Sequence, residues 1–371
     1  MYFGGATFDP EHDESRLRAQ LTRVYKLMSD GKWRTLEQIS QATGDPEASI
    51  SARLRDFRKE KFGGYDVKSE RISGANGLWR YRINNMQTKQ FLLGNTDLSQ
   101  IECRVLNTLA GQWDVVEKFR NHVDIYSELA TSFYGFPVDK SKPAERGTGK
   151  QLELSCGYGA GGPTIVRTAR AGTYGPPVRL TDQQGLDARN LYRGTHPFVG
   201  ALWERASQIL WTLKDGHTME WGPPGQPAPC MWIHDHRIFH HASGLWLDYS
   251  SLDRVRLDTG EEIWRHNVRG GWRKTYGARL VENVVQWLAR IVISDAMKRV
   301  STMGYKIPLT VHDNIYTLIP VNAANPQDCL KAICEEVARP VPWLEACPIA
   351  AEAELLDALA MDKPLFKYVV G

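Results

Sequence analysis

Apolar residues recur at helical spacing through residues 14–28, where Leu17, Leu21, Val24, Tyr25, Leu27 and Met28 share a face and Ser29-Asp30-Gly31 ends the run. Thr35-Leu36-Glu37-Gln38 has the form of a capping box, so a short helix opens there and stops at Gly44, with a second start at Asp45-Pro46. Within Pro46–Lys61, Ile50, Leu54 and Phe57 form an apolar seam, and Arg53, Arg55, Arg58 and Lys59 lie largely off it. Tyr65–Glu70 and Leu78–Ile83 read as two strands around Gly74-Ala75-Asn76-Gly77. From Phe91 onward the apolar runs lengthen, and ten of the twelve tryptophans fall there. The pattern predicts a strand leading to Asp97 and a helix over Cys103–Ala110. A mainly helical region follows from Asp124 to Gly222, then short strands over Met231–Phe239, Leu245–Ser250 and Glu262–Arg269. A helix is expected over Leu280–Met303, and Ile307–Ile319 reads as a β-hairpin with His312-Asp313 at its tip.

The order helix, helix, helix, hairpin is that of winged-helix domains, and a seam backed by arginines suits a recognition helix; Arg53, Arg55, Arg58 and Lys59 are its candidate DNA contacts. The alternative is a small docking module with a solvated basic face. Polar, pattern-free Asn84–Gln90 marks a linker, giving a domain of residues 1–85, a linker at 86–91 and a larger domain of 92–371. Residues 1–85 hold 15 Lys and Arg against 12 Asp and Glu, so the whole net charge of +3 falls there, consistent with a nucleic-acid partner. The six cysteines form no CxxC pair, and free thiols are expected. His234, His236, His240 and His241 lack regular ligand spacing with Cys230 and Asp235 and read as a histidine cluster on a DNA-facing surface. No apolar run approaches the roughly 20 residues that span a bilayer, so no membrane is expected and the cytoplasm is the expected location.

Three blocks carry candidate chemistry. Asp97 ends an apolar strand, where an acid is either a helix cap or a metal ligand. Arg146, Lys150, Leu154 and Tyr158 recur every four residues, so one helix would place two cations and then an aromatic on a single stripe. Such a stripe suits a nucleoside triphosphate, the cations on phosphates and Leu154 with Tyr158 against sugar and base. Asp313 is offered by the tip of the hairpin.

In order and spacing these blocks resemble the motifs of family A DNA polymerases, those similar to bacterial DNA polymerase I and its phage relatives. Asp97-Leu98-Ser99-Gln100-Ile101-Glu102 matches the first motif, Arg146 with Lys150 and Tyr158-Gly159 the second, and Val311-His312-Asp313 the third; Thr275-Tyr276-Gly277 with Leu280–Gln286 looks like phage members. The resemblance covers about residues 91–371, including Trp343–Glu352. It implies an α+β fold: an antiparallel palm sheet with helical fingers, plus the small N-terminal winged-helix domain. It implies a DNA-directed DNA polymerase acting on primer-template DNA and deoxynucleoside triphosphates. Two magnesium ions would be held by Asp97, the Leu98 carbonyl and Asp313. Arg146 and Lys150 would grip the triphosphate, Lys150 taking part in catalysis. Glu102 would exclude a ribose 2′-hydroxyl, Tyr158 would stack near the templating base, and Gln286 and His312 would contact primer-template.

Three positions depart from that pattern. Leu154 stands where an aromatic is common, Tyr126 falls on a phosphate-holding histidine, and Asn314 replaces the carboxylate that commonly follows the third-motif aspartate. Tyrosine can donate a hydrogen bond but cannot become a cation. The thumb and the exonuclease domain are expected to be absent, supplied by a separate chain if at all; Asp9-Pro10-Glu11 has an exonuclease-like spacing within an unpatterned tail. The competing expectation is a catalytically weak or inactive DNA-binding remnant, distinguished by whether Asp97 and Asp313 meet.

Overall fold

A computed structural model describes residues 10–59, 62, 65–74, 77–83, 91–321, 323–357 and 360–370. The chain divides into two compact units, Met1–Gln90 and Phe91–Gly371. Asp9 of the exonuclease-like pair, most of the expected linker and the centre of the Gly74–Gly77 turn lie outside the described residues.

The first unit runs α1 (Pro10–Met28), β1 (Arg34–Thr35), α2 (Leu36–Thr43), α3 (Glu47–Phe57), β2 (Val67–Arg71) and β3 (Trp79–Ile83), with an antiparallel sheet in the order β1-β3-β2. The capping box forms: Gln38 N donates to Thr35 Oγ1 at 3.2 Å, and Thr35 N donates to Gln38 Oε1 at 2.9 Å. Gly44, at φ 73°, closes α2 in the left-handed conformation that favours glycine. Val24, Met28, Ile39, Ile50, Leu54, Phe57, Val67 and Ile83 make the core. Asp45 is buried at the α2–α3 corner, where it accepts from Arg23 and Gln20 of α1 and so ties the three helices together.

One expectation for α3 is overturned. Arg53 is buried and ion-paired with Asp56 at 3.1 Å, so it is part of the packing and does not present itself to DNA. Every third or fourth position of α3 faces the core, and Arg53 directly precedes Leu54 on that edge.

The second unit begins with β4 (Phe91–Leu98) and α4 (Ile101–Ala110). Helices α5 (Trp113–Arg120), α6 (Ile125–Tyr134), α7 (Pro143–Gln151), α8 (Gly162–Ala171), α9 (Asp182–Thr195) and α10 (Pro197–Asp215) follow. Six short strands come next: β5 (Met219–Trp221), β6 (Met231–His234), β7 (Arg237–His240), β8 (Trp246–Asp248), β9 (Asp253–Arg256) and β10 (Glu262–Val268), then β11 (Gly271–Thr275) completes them. They form two small antiparallel sheets, β5-β6-β7-β8 and β9-β10-β11. The run expected as one strand over Met231–Phe239 is broken by a turn at Asp235 and His236, both at positive φ. His240 is wholly buried, its Nδ1 2.8 Å from Ser243 Oγ, so the four histidines do not form one outward-facing cluster.

The chain ends with α11 (Gly277–Thr302), β12 (Lys306–Val311), β13 (Asn314–Pro320), α12 (Pro326–Val337), β14 (Ala351–Asp357) and β15 (Ala360–Val370). The main sheet is antiparallel throughout in the order β12-β13-β4-β14-β15. It contains the expected Asp97 strand and Asp313 hairpin, and it gains β14 and β15 on the far side of β4. Helix α12 packs on β4, β13, β14 and β15, while α11 packs on α12, α4 and α10. The sheet is thus covered by α12 across β13, β4, β14 and β15, with α11 packed on α12 and against the β12 edge, rather than by α11 alone. The core is continuous from Leu98 and Ile315 through α11 to helices α4 and α8–α10 and the β5–β8 sheet.

Candidate active site

Alternation along the strands decides which side chains stand on the uncovered face of the main sheet. Gly94, Thr96 and Leu98 of β4 and Ile315, Thr317 and Ile319 of β13 are buried, leaving Asn95, Asp97 and Asn314 on the opposite face. Asp97 is in register with Asn314 on one side and Glu352 on the other, so the three form a row across adjacent strands. His312 and Asp313 alone join β12 to β13, with His312 at φ 53°. This turn lays Asp313 beside the end of β4, where its carbonyl accepts from Leu98 N at 3.2 Å. Asn314 Nδ2 then bridges the acids, donating to Asp97 Oδ1 at 3.2 Å and to Asp313 Oδ1 at 3.4 Å.

The two expected aspartates therefore meet. Asp97 is pushed up to about 7: burial is the largest cause, the neighbouring charge of Asp313 and its hydrogen bond add to it, Glu352 adds less, and Lys150 opposes. A crowded, partly buried carboxylate pair is short of positive charge, and its donors are hard oxygens, which is the chemistry that divalent magnesium takes. Among the described residues no three His, Cys, Asp or Glu groups form a ready cage, so a cation here would need water or substrate oxygens to complete its shell.

Helix α7 delivers Lys150 to this site. Gly149 permits it, because a Cβ there would collide with the Tyr126 carbonyl of α6. The four-residue stripe does not continue as one α-helix, since Leu152–Cys156 form a π-helical turn. Leu154 is consequently turned against Cys103, Val115, Phe119, Ile125 and Tyr126, an apolar packing role in place of the expected contact with sugar. Arg146 is held by Asp124, with Nε at 2.7 Å and Nη2 at 3.1 Å, and its guanidinium lies 5.3 Å from the Tyr126 ring centre. Tyr126 is buried with its hydroxyl 3.9 Å from Cys103 Sγ, so it supports Arg146 from below and is not placed as a phosphate donor.

Beyond the π turn, Tyr158 donates to Glu102 Oε2 at 3.4 Å, joining residues 56 apart. Burial raises the Glu102 pKa; the Tyr158 bond opposes this and the charge of Asp313 reinforces it. Glu102 therefore lies within the electrostatic reach of the carboxylate pair. Gln286 is exposed on α11, one turn before Arg290. Arg290 reaches the hairpin, with Nη1 3.4 Å from the His312 carbonyl and Nη2 3.4 Å from Thr310 Oγ1. The exposed His312 side chain stands at the tip.

Three participants escaped the sequence reading: Glu352, Arg290 and the bridging amide of Asn314. The alternation Ala351-Glu352-Ala353-Glu354 was a readable strand signal, and Arg290 lies four residues beyond Gln286 on the same helical face. In the first unit, Arg55, Arg58 and Lys59 are exposed, but Arg58 donates to the Val67 carbonyl at 2.9 Å and Lys59 pairs with Asp56 at 2.8 Å.

Residues 80–173 match the model of DNA polymerase family A. A DNA polymerase of Bacillus phage SP02 is 26% identical over 372 residues, covering 94% of this chain and 53% of that protein. The chain thus spans about half the length of that curated relative. The POL domain of Pol1 from M. smegmatis, solved in complex with DNA primer-template and dNTP, aligns with a TM-score of 0.48 and 13% identity over 92% of this chain and 64% of that one. The family match and the phage relative support a family A polymerase fragment.

Proposed function

We propose that the Phe91–Gly371 unit is the catalytic module of a DNA-directed DNA polymerase, adding deoxynucleotides to a primer 3′-hydroxyl opposite a template strand. The observation that carries this reading is the meeting of Asp97 and Asp313 through Asn314, with the charge of Lys150 felt at Asp97. Asp97, Asp313 and the backbone carbonyl of Leu98 would hold magnesium, which when bound activates the primer hydroxyl and neutralises the triphosphate and its leaving group.

The chain's own groups then divide the remaining work. Lys150 supplies fixed positive charge beside the acids, suited to a triphosphate oxygen. Arg146, held on Tyr126 by Asp124, must exchange Asp124 for a phosphate or act through the neighbouring surface. Glu102, fixed by Tyr158, fills space beside the sugar and selects against a 2′-hydroxyl. Gln286 and His312 face the strand termini, and Arg290 keeps the hairpin from drifting away from β4. The Met1–Gln90 unit is proposed as a winged-helix, DNA-binding domain. A phage source, a cytoplasmic setting and a separate chain supplying thumb and exonuclease functions belong to the same proposal.

The inactive-remnant reading draws on Asn314, which removes one carboxylate. It is weakened by the geometry, since Asn314 joins the other two acids where a remnant would have let them part. Single-nucleotide extension of a primed template with magnesium, run beside Asp313→Asn, tests the choice. Extension lost in the variant supports the polymerase; no extension by the native chain while it still binds primer-template supports the remnant.

A further inference from the structure

The first unit's basic side chains are not presented where the sequence placed them. On α3, Arg53 is buried against Asp56, Lys59 shares that same aspartate, and Arg58 is spent on the Val67 carbonyl. Of the four candidates, Arg55 alone is exposed with neither an ion pair nor a side-chain hydrogen bond among the described residues.

The sheet tells a different story. Val67, Tyr81 and Ile83 point to the core, so the alternate residues Lys68, Glu70, Arg80 and Arg82 share the outer face, where Arg80 is in register with Glu70 and Arg82 with Lys68. Trp33, just before β1, lies beneath both arginines: its ring centre is 5.2 Å from the Arg80 guanidinium and 4.8 Å from that of Arg82. Cation–π contact fixes the two guanidiniums side by side, which removes much of the ordering cost of binding an anion. Lys68 adds a third cation, ion-paired with Asp66 at 3.1 Å, and Glu70 is bonded to Arg80, so this face carries three cations against two acids. Among the described residues no carboxylate pairs with Arg82.

We propose that this outer face, centred on Trp33, Arg80 and Arg82 with Lys68 beside them, is a docking surface for the phosphate backbone of duplex DNA. The excess of cations selects a polyanion. Because guanidiniums cover Trp33, its ring is not offered as a platform for an unpaired base, and the recognition is of phosphates by forked donors rather than of bases by stacking. Two arginines two residues apart on a strand stand about 6.6 Å apart along it, comparable to the spacing of successive backbone phosphates.

The test uses the full chain and a fluorescent dumbbell duplex, closed at both ends so that it offers no primer terminus, with binding followed by anisotropy across a salt series. Arg80→Gln/Arg82→Gln should weaken binding about tenfold or more and reduce the slope of log K against log salt by about 1.8, the loss of two phosphate contacts, while Arg55→Gln leaves the slope near the native value. A thermal melt matching the native chain excludes misfolding, and Arg82→Lys, which keeps the charge, should recover most of the slope. Binding lost through Arg55→Gln but not through the double variant would overturn the proposal in favour of α3. An unchanged slope in both would overturn it too, leaving an acidic protein as the partner of this face. The outcome is independent of the polymerase reading: failure of primer extension would leave the dumbbell result standing.

Discussion

Asn314 Nδ2 lies 3.2 Å from Asp97 Oδ1, closing a contact between residues 217 apart in sequence. Because the same amide also reaches Asp313, Asn314 acts as a neutral brace between two acids that repel. Asn314→Ala should let them separate and lower single-turnover extension by about tenfold, equivalent to one weak hydrogen-bonded brace. Asn314→Asp should shift half-maximal extension to lower magnesium, because a third carboxylate joins the row. A magnesium titration of single-nucleotide extension reads both, and an unchanged midpoint in Asn314→Asp would exclude the row as the cation site.

Glu352 stands opposite Asp97 on the other strand and adds to the negative field that raises its pKa. Glu352→Gln should weaken binding of manganese, followed by electron paramagnetic resonance, by a few-fold, as the loss of a nearby charge worth about 1 kcal/mol would do. Equal manganese affinity in the variant would show that Glu352 only lines the face.

Glu102 and Tyr158 are mutual restraints. Glu102→Ala should raise the efficiency of ribonucleotide relative to deoxynucleotide incorporation by at least about tenfold, by opening the space a 2′-hydroxyl needs. Tyr158→Phe should move the same ratio less, since the bulk of Glu102 remains. Competition between the two nucleotides on one primer measures the ratio, and no change in Glu102→Ala would remove Glu102 from the sugar.

His240 is held near 4 by burial, which excludes the imidazolium. Its folded pKa is depressed, so its contribution to stability is present above about 6.5 and is lost as pH falls toward 4, amounting to about 3 kcal/mol at most. His240→Phe should flatten this slope in chemical denaturation between pH 7 and 4, whatever it does to stability at pH 7. A slope equal to the native one would place the acid sensitivity elsewhere.

Much of this architecture was legible in the chain because local signals were strong. The capping box at Thr35 and Gln38, the glycine stop at 44 and the hairpin carrying Asp313 all form as their sequences indicate. What was not legible depends on neighbours distant in sequence. The stripe from Arg146 to Tyr158 was read with one helical period, and the π turn at Leu152–Cys156 shifts it, which sends Leu154 into a core. Arg53 looked available because its burial depends on where Asp56 and the rest of the small core come to lie. Tyr126 was placed by analogy with a histidine, whereas the structure buries it beneath Arg146. Glu352 went unnoticed because nothing local says which strand β14 will join.

The central position of β4 has a consequence for how this protein comes into being. Its two flanking partners, β13 and β14, are both made long after it, so Asp97 spends most of synthesis on a strand with two open edges. Such an edge is a hazard for intermolecular pairing, and closing the long loops needed to cover it is slow. Expression should therefore favour conditions that slow aggregation more than synthesis, and a nascent chain halted before Ala351 would hold both aspartates yet leave one side of Asp97 unpaired.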